Sequence, residues 1–344
     1  MKIADQKTPS DWELFFKHRR NPYIPLEVCE SRFQVSIDFT ILITPADISK
    51  IDGTKDIIIL NIKEQFAVTN NIDDLKRQCR RPIEEVLILG DVVFPNSFLD
   101  FSNPNYVFAG SWFESPVGVI SQTVESKKYL FDFMVGYQRK ECDYLFDSFD
   151  QKGLINDTAL YKYADRSNFD FNHLGELFEI GWEGNMEKSI DLDIWASEFG
   201  TSSVNIHSAW ASRIVPQRAY EQSLFSVVRE SQFYNWNELY YQPSEKTAKP
   251  ILCKRMFFVL GAQGWHDNYK NLGFVPYDYA NNTWDHLPNW RDRTDRFAEY
   301  IATLDQDRIL SLYQQEKNNI EHNYNIATQS WGQKCLNFVM QKLK

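Results

Sequence analysis

LFSVVRES (residues 224–231), YYQPSEKTAKPILCKRMFFVLGAQGW (240–265) and NLGF (271–274) are the stretches whose reading decides the fold. An apolar run of β type, 224–228, ends in Arg229, Glu230 and Ser231. A polar and aromatic loop follows, carrying Tyr240, Tyr241, Ser244, Glu245 and Lys246. Residues 247–254 suit a short helix, and 256–260 form a second buried-strand run closed by Gly261, Ala262, Gln263 and Gly264. The order is strand, loop, helix, strand, glycine turn. Charged residues gather where strands end and a helix begins, and in open α/β sheets that edge is where ligands bind.

Working outward, the same alternation recurs. Upstream, 129–135 read as a strand ended by Gly136. Arg139 and Lys140 follow, then a helix with Tyr144, Leu145, Phe146 and Phe149 at helical spacing, stopped by Gly153, and a further strand over 157–163. Nearer the N-terminus, 56–63, 86–91 and 106–113 are continuous apolar runs, as buried parallel strands are, with a helix predicted over 72–79. Residues 33–43 alternate strictly and predict a strand with one wet face. Downstream, 277–295 read as a wet loop, and Phe297, Tyr300, Ile301 and Leu304, then Ile309, Leu312 and Tyr313, then Trp331, Cys335, Phe338 and Val339 mark helices. The expected fold is therefore α/β, with an N-terminal domain over 1–122, a C-terminal α/β domain over 123–295 and terminal helices over 296–344.

Composition limits the function classes. A hydrophobic content of 43% with 24% charged residues is that of a folded globular chain of 344 residues. A net charge of -10 repels phosphate backbones, so a nucleic-acid partner is not expected without a local basic patch. Five widely spaced cysteines with no C-x-x-C pair argue against a disulfide framework or a zinc finger. No apolar run of signal-peptide type opens the chain and no stretch approaches about 18 apolar residues. A cytoplasmic location without a membrane span is expected. P-loop, dinucleotide-binding, zincin and serine-hydrolase motifs are all missing.

Glu245 and Lys246 carry the sharpest chemistry. A carboxylate can accept both hydroxyl protons of a ribose, and an adjacent ammonium can meet a diphosphate, helped by the positive end of a helix. A solvated surface pair gives the same dipeptide, so context decides. That context resembles the donor-binding region of fucosyltransferase-like, GT-B-type glycosyltransferases. In that family a strand ends in a Phe-Glu-Asn-Ser-like motif, a Tyr-Val-Thr-Glu-Lys-like motif opens a helix, and a strand then ends in a glycine turn. The counterparts here are Val228-Arg229-Glu230-Ser231, then Tyr240-Tyr241 with Ser244-Glu245-Lys246-Thr247, then Phe257 to Gly261. The chain is more similar still to phage and bacterial glycosyltransferase-like proteins with a T/S-E-K-T-x-K-P-I segment and a later L-G-F. The resemblance covers about residues 125–280; Ser244 replaces a Thr, and the family's Asn is absent between Glu230 and Ser231.

The resemblance implies two Rossmann-like domains facing a cleft, with the terminal helices packing back on the N-terminal domain. It implies a metal-independent, inverting transfer of a sugar from a nucleotide-diphosphate donor, a GDP- or UDP-sugar, to an acceptor hydroxyl, with no required cofactor. Glu245 would hold the ribose, Lys246 the diphosphate and Glu230 the sugar. A second cation on the diphosphate is expected from the turn that holds Gly136, Arg139 and Lys140, with Gly136 permitting close approach and Arg139 gripping the phosphate, although a helix-start arginine on the surface reads the same way. Gly261 either lets backbone approach the ligand or makes a plain tight turn. The base is expected at a strand end of the N-terminal domain, with Glu64 first, then Asp91 and Glu114. Asp191-Leu192-Asp193 is a D-x-D, which binds a divalent metal in another transferase class, but its alternation with Ile190 and Ile194 fits a half-exposed strand better. The competing expectations are a non-catalytic binding module that kept the fold, and a DNA-base glycosyltransferase.

Overall fold

The computed structural model describes residues 59–62, 87–90, 93, 100–110, 113, 123–135, 140–163, 166–168, 215–230, 241–329, 331, 334, 337–338 and 341. The predicted strand over 33–43, the helix over 72–79 and the D-x-D lie outside them.

Three of the predicted apolar runs form a sheet in which every pairing is parallel. Strands β1 (Ile59–Ile62), β2 (Leu87–Gly90) and β3 (Tyr106–Phe108) lie in the order β1-β2-β3. The runs at β2 and β3 are buried throughout, so no alternation was there to be seen.

The second sheet has the order β6-β5-β4-β7-β8. It consists of β4 (Tyr129–Val135), β5 (Ala159–Tyr163), the two-residue β6 (Arg166–Ser167), β7 (Ser223–Arg229) and β8 (Phe257–Leu260). All pairings are parallel except β5 with β6. Helix α1 (Lys140–Gln151) connects β4 to β5 on one side, while β7 lies against the other side of β4. The chain therefore changes direction between β4 and β7, and their carboxyl ends flank the crevice that open α/β sheets use for ligands. Arg229 is level with Leu260, and extending the β4–β7 register by two residues brings Val135 level with Arg229.

Asp132 interrupts the apolar run of β4, and its carboxylate is buried. Arg255, wholly buried at 0% exposure, meets it at 2.7 Å. The Ser223 and Ser226 hydroxyls lie 3.0 and 2.9 Å from the same carboxylate oxygen. Arg255 also donates to the carbonyls of Tyr220 and Ser223, at 3.0 and 2.9 Å, and its cation sits 4.5 Å over the Tyr220 ring. This network ties β4, β7 and the entry to β8 together on one face. The opposite face carries aromatic side chains, with Phe149 of α1 set edge-on against Phe131 and Phe133.

Two short helices flank these strands, α2 (Gln217–Gln222) before β7 and α3 (Glu245–Leu252) before β8. Beyond β8 come α4 (Trp265–Asn271), a 3-10 turn (Tyr279–Asn281), α5 (Trp290–Ala302), α6 (Gln306–Gln315) and α7 (Lys317–Ala327). The boundary drawn at 295/296 falls inside α5. Nor is the segment over 277–295 a wet loop: Tyr277, Asn282, Trp284, Asp285, Arg293 and Thr294 are buried. Several of its polar groups are paired locally, although the Tyr277 hydroxyl and Asn282 Oδ1 have no hydrogen-bond partner among the described residues. Arg293 donates to the carbonyls of Gly261 and Leu287, and Asp285 accepts from the His266 amide while its other oxygen lies 2.9 Å from His266 Nδ1.

One apolar cluster runs through both sheets, from Ile88 and Phe108 to Phe131, Phe258 and Trp331. Trp331 stacks on Phe113 and meets Phe108 edge-on, with centroids 5.4 and 5.9 Å apart. Gly110, at φ +65°, lies directly beneath the Trp331 indole and has no room for a Cβ. Tyr241 and Val93 exchange two backbone hydrogen bonds of 2.7 and 2.9 Å, an isolated bridge between the end of the first sheet and the approach to α3. No helix among the described residues is long and apolar enough to cross a membrane.

Candidate functional site

Helix α3 begins at Glu245, two residues earlier than its apolar pattern suggests, because Ser244 caps it. The Ser244 hydroxyl accepts from the Lys246 amide at 3.3 Å, and the Ser244 carbonyl accepts from Thr247 and Ala248. Starting there places Pro250 inside the helix, where it removes a backbone donor.

Glu230, directly after β7, is the hub of this helix end. Its amide continues the sheet ladder by donating to the Leu260 carbonyl at 3.1 Å. Its carboxylate accepts from the Ser244 amide at 3.0 Å, from the Ser244 hydroxyl at 2.6 Å and from the Thr247 hydroxyl. Burial pushes the Glu230 carboxyl above its usual range, against the pull of Lys246 and of these hydrogen bonds. Three of the four acceptor positions of the carboxylate are thus used in holding α3 against β7. Glu230 was expected to hold a sugar; here its contacts are those of a positioning residue.

Glu245 and Lys246 form an ion pair, Nζ to Oε1 at 2.7 Å. Burial alone would raise the Glu245 carboxyl, but the Lys246 and Lys249 ammoniums outweigh it and hold the group below the usual carboxylate range. Burial alone would likewise lower Lys246, but Glu245 and Glu230 reverse that and raise it. Both side chains are therefore charged at neutral pH. Lys246 keeps 31% of its side chain exposed, so this cation can still reach a ligand. Arg229 is buried at the same strand end, near enough for its charge to oppose that of Lys246.

The expected help from the helix end takes a different form. The amides of Ser244, Lys246, Thr247 and Ala248 all have partners within the cap, and Glu245 is hydrogen-bonded by its own backbone. A diphosphate here would be met by side-chain cations rather than by backbone N–H groups. Lys249, one turn after Glu245, belongs to this charge cluster although the sequence reading passed over it. Burial lowers its ammonium to about 8, against the pull of Glu245. The i,i+4 spacing from Glu245 was the signal that could have found it.

Gly261 follows β8, and a Cβ there would fall within the Trp265 indole. The glycine is required by packing against Trp265. Gly264, at φ +72°, starts α4 from the left-handed region that glycine adopts at little cost.

The structure thus brings Arg229, Glu230, Tyr241, Ser244, Glu245, Lys246, Thr247 and Gly261 to one edge of the second sheet. Lys140 is exposed at the first residue of α1, on the other flank of the crevice. Gly136 and Arg139, between Val135 and Lys140, lie outside the described residues, as do Glu64, Asp91 and Glu114. In sequence, Asp91 directly follows Gly90 at the end of β2, and Glu64 stands two residues beyond β1. Among the described residues no group of three or more His, Cys, Asp or Glu could hold a metal ion.

Comparison with protein-family models and with curated protein sequences returns no match.

Proposed function

We propose that this chain is a GT-B-type glycosyltransferase that moves a sugar from a nucleotide-diphosphate donor to an acceptor hydroxyl with inversion, without a required metal. The observation that carries the reading is the Glu245–Lys246 pair, charged and 2.7 Å apart, on the first turn of α3 beside the crevice between β4 and β7. An ionised carboxylate there suits a ribose diol, and the cations of Lys246, Arg229 and Lys140 suit a diphosphate.

In the proposed reaction a carboxylate base, Glu64 or Asp91, takes the proton of the acceptor hydroxyl. The acceptor oxygen attacks the anomeric carbon, and the carbon–oxygen bond to the diphosphate breaks with its electron pair going to the leaving nucleotide. Lys246 stabilises the charge that develops on that leaving group.

The test is calorimetric binding of GDP, UDP and their hexose conjugates to the wild type, Lys246→Ala and Glu245→Gln. Loss of a hydrogen bond to a charged group predicts affinity about tenfold or more weaker in each variant. Equal binding by wild type and both variants would sink the site assignment.

A further inference from the structure

The approach to α3 contains two buried side chains whose polar atoms lack partners among the described residues. Gln242 is 5% exposed, and among those residues neither its amide nitrogen nor its amide oxygen has a hydrogen-bond partner. Tyr241 is 1% exposed, and its hydroxyl has none among them either. Buried polar atoms are almost always paired, and leaving one unpaired costs about 1–3 kcal/mol. Three such atoms on consecutive residues are therefore a substantial cost in a segment that is otherwise tightly organised. Tyr241 is bridged through its backbone to Val93, its ring packs edge-on against Trp265, and Ser244 two residues on is held by Glu230.

The position of the pair matters. It lies on the arch between the first sheet and the cap of α3, next to the carboxylate that the family resemblance gives to the sugar. Glu230 is committed to the cap, which leaves sugar recognition to neighbouring groups. A carboxamide presents a donor and an acceptor side by side, matching two vicinal hydroxyls of a hexose. Burial, together with the nearby Glu230 carboxylate, keeps the Tyr241 hydroxyl protonated, so it donates to a sugar oxygen.

We propose that Gln242 and Tyr241 form the hexose subsite of the donor pocket, with the Gln242 carboxamide reading a vicinal diol and the Tyr241 hydroxyl donating to a sugar oxygen. This rests on the nucleotide-sugar reading of the Glu245–Lys246 site. The two residues trade stability of the unliganded protein for recognition, as functional sites do.

The experiment compares wild type, Gln242→Leu and Tyr241→Phe with GDP and UDP alone and with UDP-glucose, UDP-galactose, GDP-mannose and GDP-fucose, by calorimetry and thermal unfolding. The wild type should bind one sugar nucleotide more tightly than its parent nucleotide. Each variant should lose about tenfold of affinity for that conjugate while binding the parent nucleotide unchanged. Both variants should unfold at the wild-type temperature or above it, because each removes an unsatisfied polar group. Two results overturn the subsite while leaving the nucleotide site standing: unchanged preference for the conjugate in both variants, or a wild type that binds conjugate and nucleotide equally. A wild type that binds none of the six compounds overturns the nucleotide-sugar reading itself and the subsite with it. Unfolding temperatures lowered by several degrees in both variants would show that the two side chains are structural, and would also overturn the subsite.

Discussion

Removing both members of the buried Asp132–Arg255 pair should destabilise the protein by well under the sum of removing each alone. In Asp132→Asn the Arg255 guanidinium stays wholly buried with no carboxylate 2.7 Å away, only hydroxyls and carbonyls. In Arg255→Met the carboxylate of Asp132 keeps two serine hydroxyls, but the carbonyls of Tyr220 and Ser223 lose the side-chain donors at 3.0 and 2.9 Å. Each single change leaves a buried charge uncompensated, which costs about 3–5 kcal/mol. The double variant Asp132→Asn/Arg255→Met leaves no charge behind. It should cost well under the sum of its parts, with a coupling energy of about 2 kcal/mol or more. Urea unfolding followed by tryptophan fluorescence measures all four proteins, with equal slopes required before the free energies are compared. Additive single effects below about 1 kcal/mol each would refute the reasoning, because they are what a solvated ion pair gives.

Gly261→Ala should destabilise the protein by about 1–3 kcal/mol through overpacking against Trp265, seen as a lower urea midpoint, and the cost should shrink in a Trp265→Leu background. Lys249 gives a pH signature. Its folded ammonium is lowered to about 8 from an ordinary 10.5, so between those values the unfolded chain holds more protons and stability rises with pH. Unfolding temperatures of wild type and Lys249→Met across that window should diverge in favour of the wild type as pH increases; parallel curves would contradict the burial.

The parts of the fold written in local pattern were legible. The run Tyr129–Val135 is apolar enough to be a strand whatever surrounds it, and the structure gives it the same bounds. A short helix was expected over 247–254, and it is present, but it starts at Glu245 because Ser244 caps it. What escaped reading depends on partners far away in the chain. Asp132 looks like an interruption of its strand until Arg255, 123 residues later, arrives to pair with it. The segment from Tyr277 to Thr294 is polar by composition, and contacts such as those of Arg293 with the Gly261 and Leu287 carbonyls, of Trp284 with the Val259 carbonyl and of His266 with Asp285 accompany its burial. Helix α4 was missed because it opens from a left-handed glycine rather than from a capping side chain. At the site, residue types and order were visible in the sequence, but the commitment of Glu230 to the helix cap was not. That role requires Ser244 and Thr247 to fold back on it from 14 and 17 residues away.

The bridge between Val93 and Tyr241 acts as a short tether. Three residues separate Tyr241 from the start of α3, a reach of about 13 Å over four extended steps. Two backbone hydrogen bonds fasten one end to the strand exit of the first sheet, and Glu230 clamps the other end to the second. Any rocking of one sheet against the other that exceeds the slack of this tether must either break the bridge or pull on the first turn of α3. The ion pair of Glu245 and Lys246 sits on that turn, so relative motion of the two sheets would be felt at those two charges.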